Sequence, residues 1–490
     1  MEFNVHAPPK IEICAHTGKT YVLDNHIAVN TTRSLSNPFA SGQINILGHE
    51  INGLPWDEVL TLHDLVKISY LSRDGNYYQD GIYLISSVSE SYVASEISIE
   101  ESLSISIVSV GKALIDYTIM YHPWLAKRSN IAGLGFLVLA NGNFFKGNPN
   151  EIVEQIFNTF LNDDFQFVFS DGRKIGDVLK LVTTPSVNSL GSSVFANTMG
   201  ASNVWETMKE FSDVPWHEMF VDVPWETLTG NIADGQSGTR EYQSKNEVIY
   251  HRPTPYDPKE WEDLYNQNAW GFDLDYSEIS GEMNTSIDES GIKTFFFTCG
   301  HNPYSALQQV ALARNLSGAQ IPRYDGSMIR RFGFRKLEHK TLYISFSSSK
   351  QWLEKNRMSA IERSKVKVPP KQSAKALTDM LVNRTRQQHL WFGYPNYFSG
   401  VIPVYGRIGP SREHGIRVGG IINDKEKKRQ YYITQVSQEW NLGGKFLTKI
   451  GVQKGHNPQR RRVWWNQREK EALISASDPE FQNRKGVKFE

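Results

Sequence analysis

"YYITQVSQEW", residues 431–440, restates "YLISSVSESY", residues 83–92, near the other end of a 490-residue chain. In register, Tyr83 meets Tyr431, Ile85 meets Ile433, Val88 meets Val436, Ser89 meets Ser437, and Tyr92 faces Trp440, one large aromatic for another. Each copy is followed by a second alternating stretch that ends in a small, lysine-containing stop, "SLSISIVSVGK" to Lys112 and "FLTKIGVQKG" to Gly455. Each is preceded by a His-led aliphatic stretch, "HDLVKISY" from His63 and "HGIRVGG" from His414. β-Branched and aromatic residues in alternation, punctuated by Gly, Asp and Asn, specify strands and hairpins. Two unrelated antiparallel strands can share this much by pattern alone, but the flanking stretches favour duplication, and the reading is two copies of one antiparallel β-unit.

The region between the copies reads as α+β. Asn148 and Pro149 open "EIVEQIFNTFL", where Glu151 completes a capping box and Ile152, Val153, Ile156, Phe157, Phe160 and Leu161 form one apolar face. Asp257 and Pro258 open "KEWEDLY" with Glu260 at the capping-box position, and Asn302 and Pro303 open a helix closed by Gly318. A further helix from Asn203 to Phe211 turns Val204, Trp205, Met208 and Phe211 inward. The fold expected is α+β, mainly β. A first β-unit spans 1–115, an α+β middle region 116–350 contributes strands to the second unit, a basic connector and helix span 351–394, the second β-unit spans 395–455, and a polar basic-aromatic tail spans 456–490.

Composition narrows the function. Fifty-three basic and fifty-three acidic residues cancel, so no chain-wide attraction to nucleic acid or anionic membrane is expected. Two cysteines, Cys14 and Cys299, provide neither a disulfide framework nor a metal set, as in a protein made in a reducing cytosol. The start "MEFNVHAPPK" has no secretory pattern. The apolar run "IAGLGFLVLA" from Ile131 is about half the length needed to span a bilayer and reads as a buried strand.

Catalytic motifs are rejected one by one. "HEMFV" begins like a zinc-protease helix at His217, but the position four beyond is Val221. "GLGFLV" from Gly133 has Val138 where a dinucleotide turn needs its third glycine. "DLDYSE" offers Asp273, Asp275 and Glu278, which suit either a solvated acidic turn or the acids of a glycan-cleaving enzyme. No Gly-x-Ser-x-Gly elbow and no P-loop occurs. The expectation is a non-enzyme with no catalytic residue, no metal and no cofactor. In the tail, Arg460, Arg461, Arg462, Trp464 and Trp465 suit a protein partner, arginine and tryptophan being enriched at interface hot spots, or alternatively a nucleic acid held by charge and stacking.

A resemblance gives these pieces a common context. "ILGHEINGLPWDEVLTLHDLVKISYLSRDGNYYQDGIYLISSVSESY" resembles the first domain of the central hub proteins of contractile phage tail baseplates, in the broad late-control-D-like family. "NVWETMKEFSDVPWHEMFVDV", "VIYHRPTPYD", "RYDGSMIRRFGFR" and "SGVIPVYGRIGPSREHGIRV" are similar to later segments of that family, in family order, from about residue 40 to 455. The resemblance implies two tube-like antiparallel β-barrel domains flanking an α+β middle region. It implies a homotrimer whose six barrels form a pseudo-six-fold ring, matching a six-fold tail tube above and a three-fold spike below. The partners it implies are the chain itself, the tail tube or a tube-initiator ring, the central spike protein, and the tape measure protein and baseplate wedge. DNA enters only as passing cargo, and no membrane insertion is implied. The site would be the virion tail baseplate, assembled in the bacterial host cytoplasm. Tyr83, Ile85, Val88, Tyr92, Tyr431, Ile433, Val436 and Trp440 are the candidate barrel-repeat and interface residues. The alternative is a tail-associated cell-wall hydrolase or glycan-binding protein using the acidic triplet.

Overall fold

The computed structural model describes residues 7–23, 27–48, 50–94, 99–119, 146–147, 149–161, 168–184, 192–193, 202–223, 225–228, 240–243, 247–300, 323–341 and 370–477. The apolar run at 131–140, the helix expected after Asn302 and the basic connector before Pro370 lie outside these residues.

The first β-unit contains Lys10–Cys14 (β1), Thr20–Leu23 (β2), Ile27–Ser34 (β3), Ser41–Leu47 (β4), Leu65–Leu71 (β5), Tyr77–Ala94 (β6) and Ile99–Ser109 (β7). The middle region contributes Leu179–Thr183 (β8), His217–Asp222 (β9), Glu247–Pro253 (β10), Gly271–Leu274 (β11) and Asn284–Ile287 (β12). The second unit is completed by Phe398–Tyr405 (β13), Ile421–Asp424 (β14), Arg429–Trp440 (β15) and Phe446–His456 (β16). Thirteen of these strands join one sheet, in the order β2, β1, β5, β6, β7, β4, β3, β15, β16, β13, β12, with β14 pairing β15 and β11 pairing β14. The fold is thus mainly β, with antiparallel sheets and several helices.

The strand order repeats. In the first unit β5, β6, β7, β4 and β3 lie side by side, and in the second β14, β15, β16, β13 and β12 do so, all antiparallel and threaded in the same chain order. Irregularities repeat as well. The ladder between β6 and β7 slips between Ile85 and Ser87, and the ladder between β15 and β16 slips between Ile433 and Gln435, the same place in each copy. A bulge adds a residue to one strand and bends it, so its recurrence repeats the curvature and not only the pattern. Outside the five shared strands the units differ, since β1 runs antiparallel to β5 whereas β11 runs parallel to β14.

The backbone corner before each central hairpin corrects one sequence alignment. His63 has φ 68° and its amide donates to the Ile85 carbonyl (2.8 Å), while Gly419 has φ 78° and its amide donates to the Ile433 carbonyl (2.9 Å). The Ile85 amide returns a bond to Asp64, and the Ile433 amide returns one to Gly420. The counterpart of His63 is therefore Gly419 and not His414. What repeats is a left-handed backbone turn, which glycine adopts without penalty and other residues adopt rarely.

The structure also reveals a repeat that the sequence reading missed. "SGQINIL" of β4 and "SGVIPVY" of β13 occupy equivalent positions, with Gly42 and Gly400 opposite Thr31 and Thr285 on the neighbouring strands. A Cβ on either glycine would collide with the carbonyl oxygen of Asn30 or Asn284 respectively, so the same close backbone approach excludes a side chain in both.

Alternation divides the first unit between two cores. Val66, Ile68, Tyr83, Ile85, Ile105 and Ile107 point into the interior of the first unit, and Leu65, Ile82 and Leu84 point to its outer face. There Pro149–Leu161 (α1) and Val204–Phe211 (α2) cover them, through Ile152, Val153, Ile156, Phe157 and Phe160 and through Val204, Trp205, Met208 and Phe211. The Asn203 side chain caps α2 by accepting from the Glu206 amide (2.7 Å). Pro258–Asn266 (α3) carries the anticipated Asp257–Glu260 capping box and buries Trp261 in the core of the second unit. Pro370–Phe392 (α4) and Pro458–Ser477 (α5) are the longest helices among the described residues.

Candidate functional site: the joint between the repeats

The two units meet edge to edge. β3 of the first pairs antiparallel with the distal half of β15 of the second, from Gln435 opposite Ser34 to Trp440 opposite Val29. The Leu35 amide donates to the Thr434 carbonyl (2.9 Å), which fixes the alternation of hydrogen-bonded and non-bonded pairs along the seam. Thr32 and Ser437 form a non-bonded pair, where side chains approach most closely, and the Thr32 hydroxyl donates to Ser437 Oγ (2.9 Å). Trp440 and Phe446 of the second unit belong to the interior core of the first, with Phe446 stacked on Tyr70 at 4.6 Å between ring centroids. The seam therefore joins cores as well as edges.

A buried charge cluster locks a third body onto this joint. Asp222, at the end of β9, accepts from Arg33 of the first unit (3.3 Å) through one oxygen and from Arg417 of the second (3.1 Å) through the other. Arg33 also donates to the Tyr83 hydroxyl (3.3 Å), and Tyr83 and Thr31 donate to Asp80. Glu247 stands 3.8 Å from Arg33 and accepts from the Gly111 amide (3.3 Å). Burial pushes the Glu247 carboxyl up to about 7, against the pull of Arg33. Arg417 donates to Tyr250 (2.9 Å), and Trp270 lies between the Arg252 and Arg417 guanidinium groups at 4.2 Å from each. Such a cluster adds little net stability compared with an apolar core, but any other docking of the three bodies leaves buried charges unpaired. Its chemistry is positional.

Nearby, His217 and His251 stack at 5.0 Å, and burial pushes both imidazoles down to about 3, so they are neutral at physiological pH. His217 borders a cleft of about 400 Å³ that Trp216, Arg252 and Arg384 also line.

The residues singled out from sequence fall in distinct settings. Tyr83, Ile85, Tyr431 and Ile433 are fully buried at equivalent places, Val436 is buried and Val88 half-buried. Tyr92 and Trp440 are equivalent by register, facing Glu101 and Phe446, yet Tyr92 is 58% exposed and Trp440 6%. Asp273, Asp275 and Glu278 do not converge. Asp273 accepts from Tyr265 (2.7 Å) and pairs with Lys425 (3.2 Å), Asp275 caps a 3-10 turn through the Ser277 amide (2.9 Å), and Glu278 is buried between Arg73 and Arg407. The Asp273 carboxyl is held below its ordinary value despite burial, by Tyr265 and Lys425, and Asp275 by its turn amide, the opposite of a general acid's need. Among the described residues no group of His, Cys, Asp and Glu is placed to hold a metal, and no helix is long and apolar enough to cross a membrane.

The segment read as a polar tail is in part the helix α5. Arg461 is buried and donates to the Tyr256 carbonyl, and Trp465 is buried against His389. Trp464 is half-buried, whereas Arg460 and Arg462 face outward, with Arg462 paired to Glu262 (3.0 Å). The joint's own ionic members, Arg33, Asp222, Glu247 and Arg417, were not singled out from sequence. Four single charges spread over nearly four hundred positions carry no pattern.

No protein-family model and no curated protein sequence matches the chain. Solved structures do. The tail protein from Neisseria meningitidis MC58 is similar with a TM-score of 0.47 and 9% identity, covering 91% of this chain and 96% of that one. The 43 kDa tail protein of prophage MuSo2 from Shewanella oneidensis has a TM-score of 0.47 and 11% identity, over 90% and 97%. The E. coli c3393 protein, described as a component of the type VI secretion system with structural similarity to the T4 bacteriophage tail proteins gp27 and gp5, has a TM-score of 0.37 and 8% identity, over 87% and 72%.

Proposed function

We propose that this chain is a structural hub of a contractile tail baseplate, or of a related injection machine, in which three copies close a ring between a six-fold tube and a three-fold spike. The observation that carries the reading is the repeat itself: five strands in the same order and direction, with the same bulge and the same left-handed corner, joined laterally within one chain. A lateral joint between two near-equivalent units is half of the solution to a symmetry mismatch. Three chains then present six similar units to a six-fold partner, while everything else in the chain stays three-fold. The ionic cluster around Asp222 ties that ring to the middle region, which in this reading faces the spike. The tube and spike are protein partners, and DNA is cargo passing through the centre.

Cryo-electron microscopy of the purified protein tests this. The expected particle has three copies around one axis, with the unit containing β6 and the unit containing β15 alternating at near-equivalent radius and tilt. A particle in which the two units lie at different radii overturns the reading.

A further inference from the structure

We propose that the joint between the repeats is used a second time, between copies: β12 of one chain pairs antiparallel with the distal half of β6 of the next. This rests on the ring reading and specifies how the ring closes.

The equivalences leave two complementary edges open. In the second unit, β15 uses its proximal half to pair with β14 and its distal half to pair with β3. In the first unit, β6 uses its proximal half to pair with β5, but among the described residues nothing pairs with that side of residues 87–94. Conversely, β3 is flanked by β4 and β15, whereas among the described residues its counterpart β12 pairs with β13 alone. Each open edge is the counterpart of one that is filled inside the chain. Neither carries the lysine or proline that blunts a solvent-facing edge.

Transferring the internal register gives Val88 opposite Ile287, Ser89 opposite Ser286, Ser91 opposite Asn284 and Tyr92 opposite Met283. The chemistry of the internal seam is kept. Thr32 with Ser437 becomes Ser286 with Ser89, hydroxyl against hydroxyl at a non-bonded position, and Val29 with Trp440 becomes Met283 with Tyr92. Exposure agrees with this, because Tyr92 and Ile287 are among the large apolar side chains most open to solvent in the single chain, at 58% and 49%. A contact of this kind is heterologous, head to tail, and such contacts close into rings when the rotation allows.

The test is a register-specific disulfide in the full-length chain. In the Ser89→Cys/Ser286→Cys variant, mild oxidation should produce covalent species ending at three chains on a non-reducing gel, with neither single variant doing so. A diagonal pair, Ser89→Cys/Asn284→Cys, should give at least about fivefold less product, because diagonal Cβ separations exceed disulfide reach. Mass photometry of the unmodified protein separates the failures. A trimer that cross-links through the diagonal pair, or through neither, overturns this seam and leaves the ring standing. A protein that stays monomeric and does not cross-link overturns both. A closed species of another number upholds the seam and overturns the trimer.

Discussion

At the scale of single residues, Glu247 is the group whose titration reports on the joint. Its folded-state value is raised from 4.5 to about 7 by burial. Between those two pH values the folded protein holds a proton that the unfolded chain has released. Stability from this group is therefore fully present below about pH 4.5, is lost as pH rises, and levels off above pH 7, a swing of about 3 kcal/mol. His217 and His251, pushed down to about 3, act in the opposite sense, since the unfolded chain binds their protons first as pH falls below 6.5. The two trends overlap, so the difference between Glu247→Gln and the unmodified protein is the informative quantity. Chemical denaturation across pH 5 to 8 should show the variant gaining stability relative to the parent as pH rises, with most of the change below pH 7. A pH-independent difference would mean that the carboxyl titrates normally. None of this was legible in sequence. Each of these charges stands singly in its segment, and only the fold brings Arg33 to Asp222 and Glu247 and Arg417 to Asp222.

At the scale of elements, the sequence showed the strongest hairpin of the repeat and hid the rest. Tyr83 to Tyr92 and Tyr431 to Trp440 share a spacing because the bulge sits at the same place in both, and a residue gained or lost elsewhere in the hairpin would turn the following side chains to the other face. The pairs Asn30-Thr31 with Asn284-Thr285, and Ser41-Gly42 with Ser399-Gly400, are equally regular in space. They escaped notice because β3 and β4 are almost adjacent in sequence, whereas over a hundred residues separate β12 from β13. The His63 corner was misaligned for a different reason, because its signature is a backbone angle that histidine and glycine both adopt there. The same element-scale logic predicts the effect of one proline. By transfer from the internal seam, the Ile287 amide points away from β13 and toward the neighbouring chain. Ile287→Pro removes that donor while sparing the bonds to β13, and proline is tolerated at an edge whose amide faces outward. The expected result is dissociation to monomer by mass photometry with a thermal midpoint of the monomer within a few degrees of the parent. A trimer that survives the substitution would show that β12 takes no part in assembly.

At the scale of the whole molecule, the question is whether a ring with DNA as cargo is consistent with how the charges are disposed, beyond their cancelling in sum. The densest basic segment, on α5, is largely committed inside the chain. Arg461 is buried against the Tyr256 carbonyl, Arg462 pairs with Glu262, Arg468 with Asp325 (2.9 Å), and Glu469 of the same helix engages Arg323 and Arg386. A binding groove for nucleic acid needs several cations left to replace counterions on phosphate, and each one that does so steepens the salt dependence by about one logarithmic unit. A conduit has the opposite requirement, since every phosphate held is a brake on passage. The protein should therefore give flat titrations with double-stranded and single-stranded DNA even at low ionic strength, and Arg460→Ala/Arg462→Ala should leave them unchanged. Fluorescence anisotropy with labelled oligonucleotides checks this. Steep, salt-sensitive binding that the double substitution weakens would turn α5 into a nucleic-acid grip and remove the argument for an unimpeded channel. Flat titrations alongside a closed ring would leave α5 with an internal, structural role and keep the proposed conduit standing, since a surface that replaces no counterions holds no phosphate.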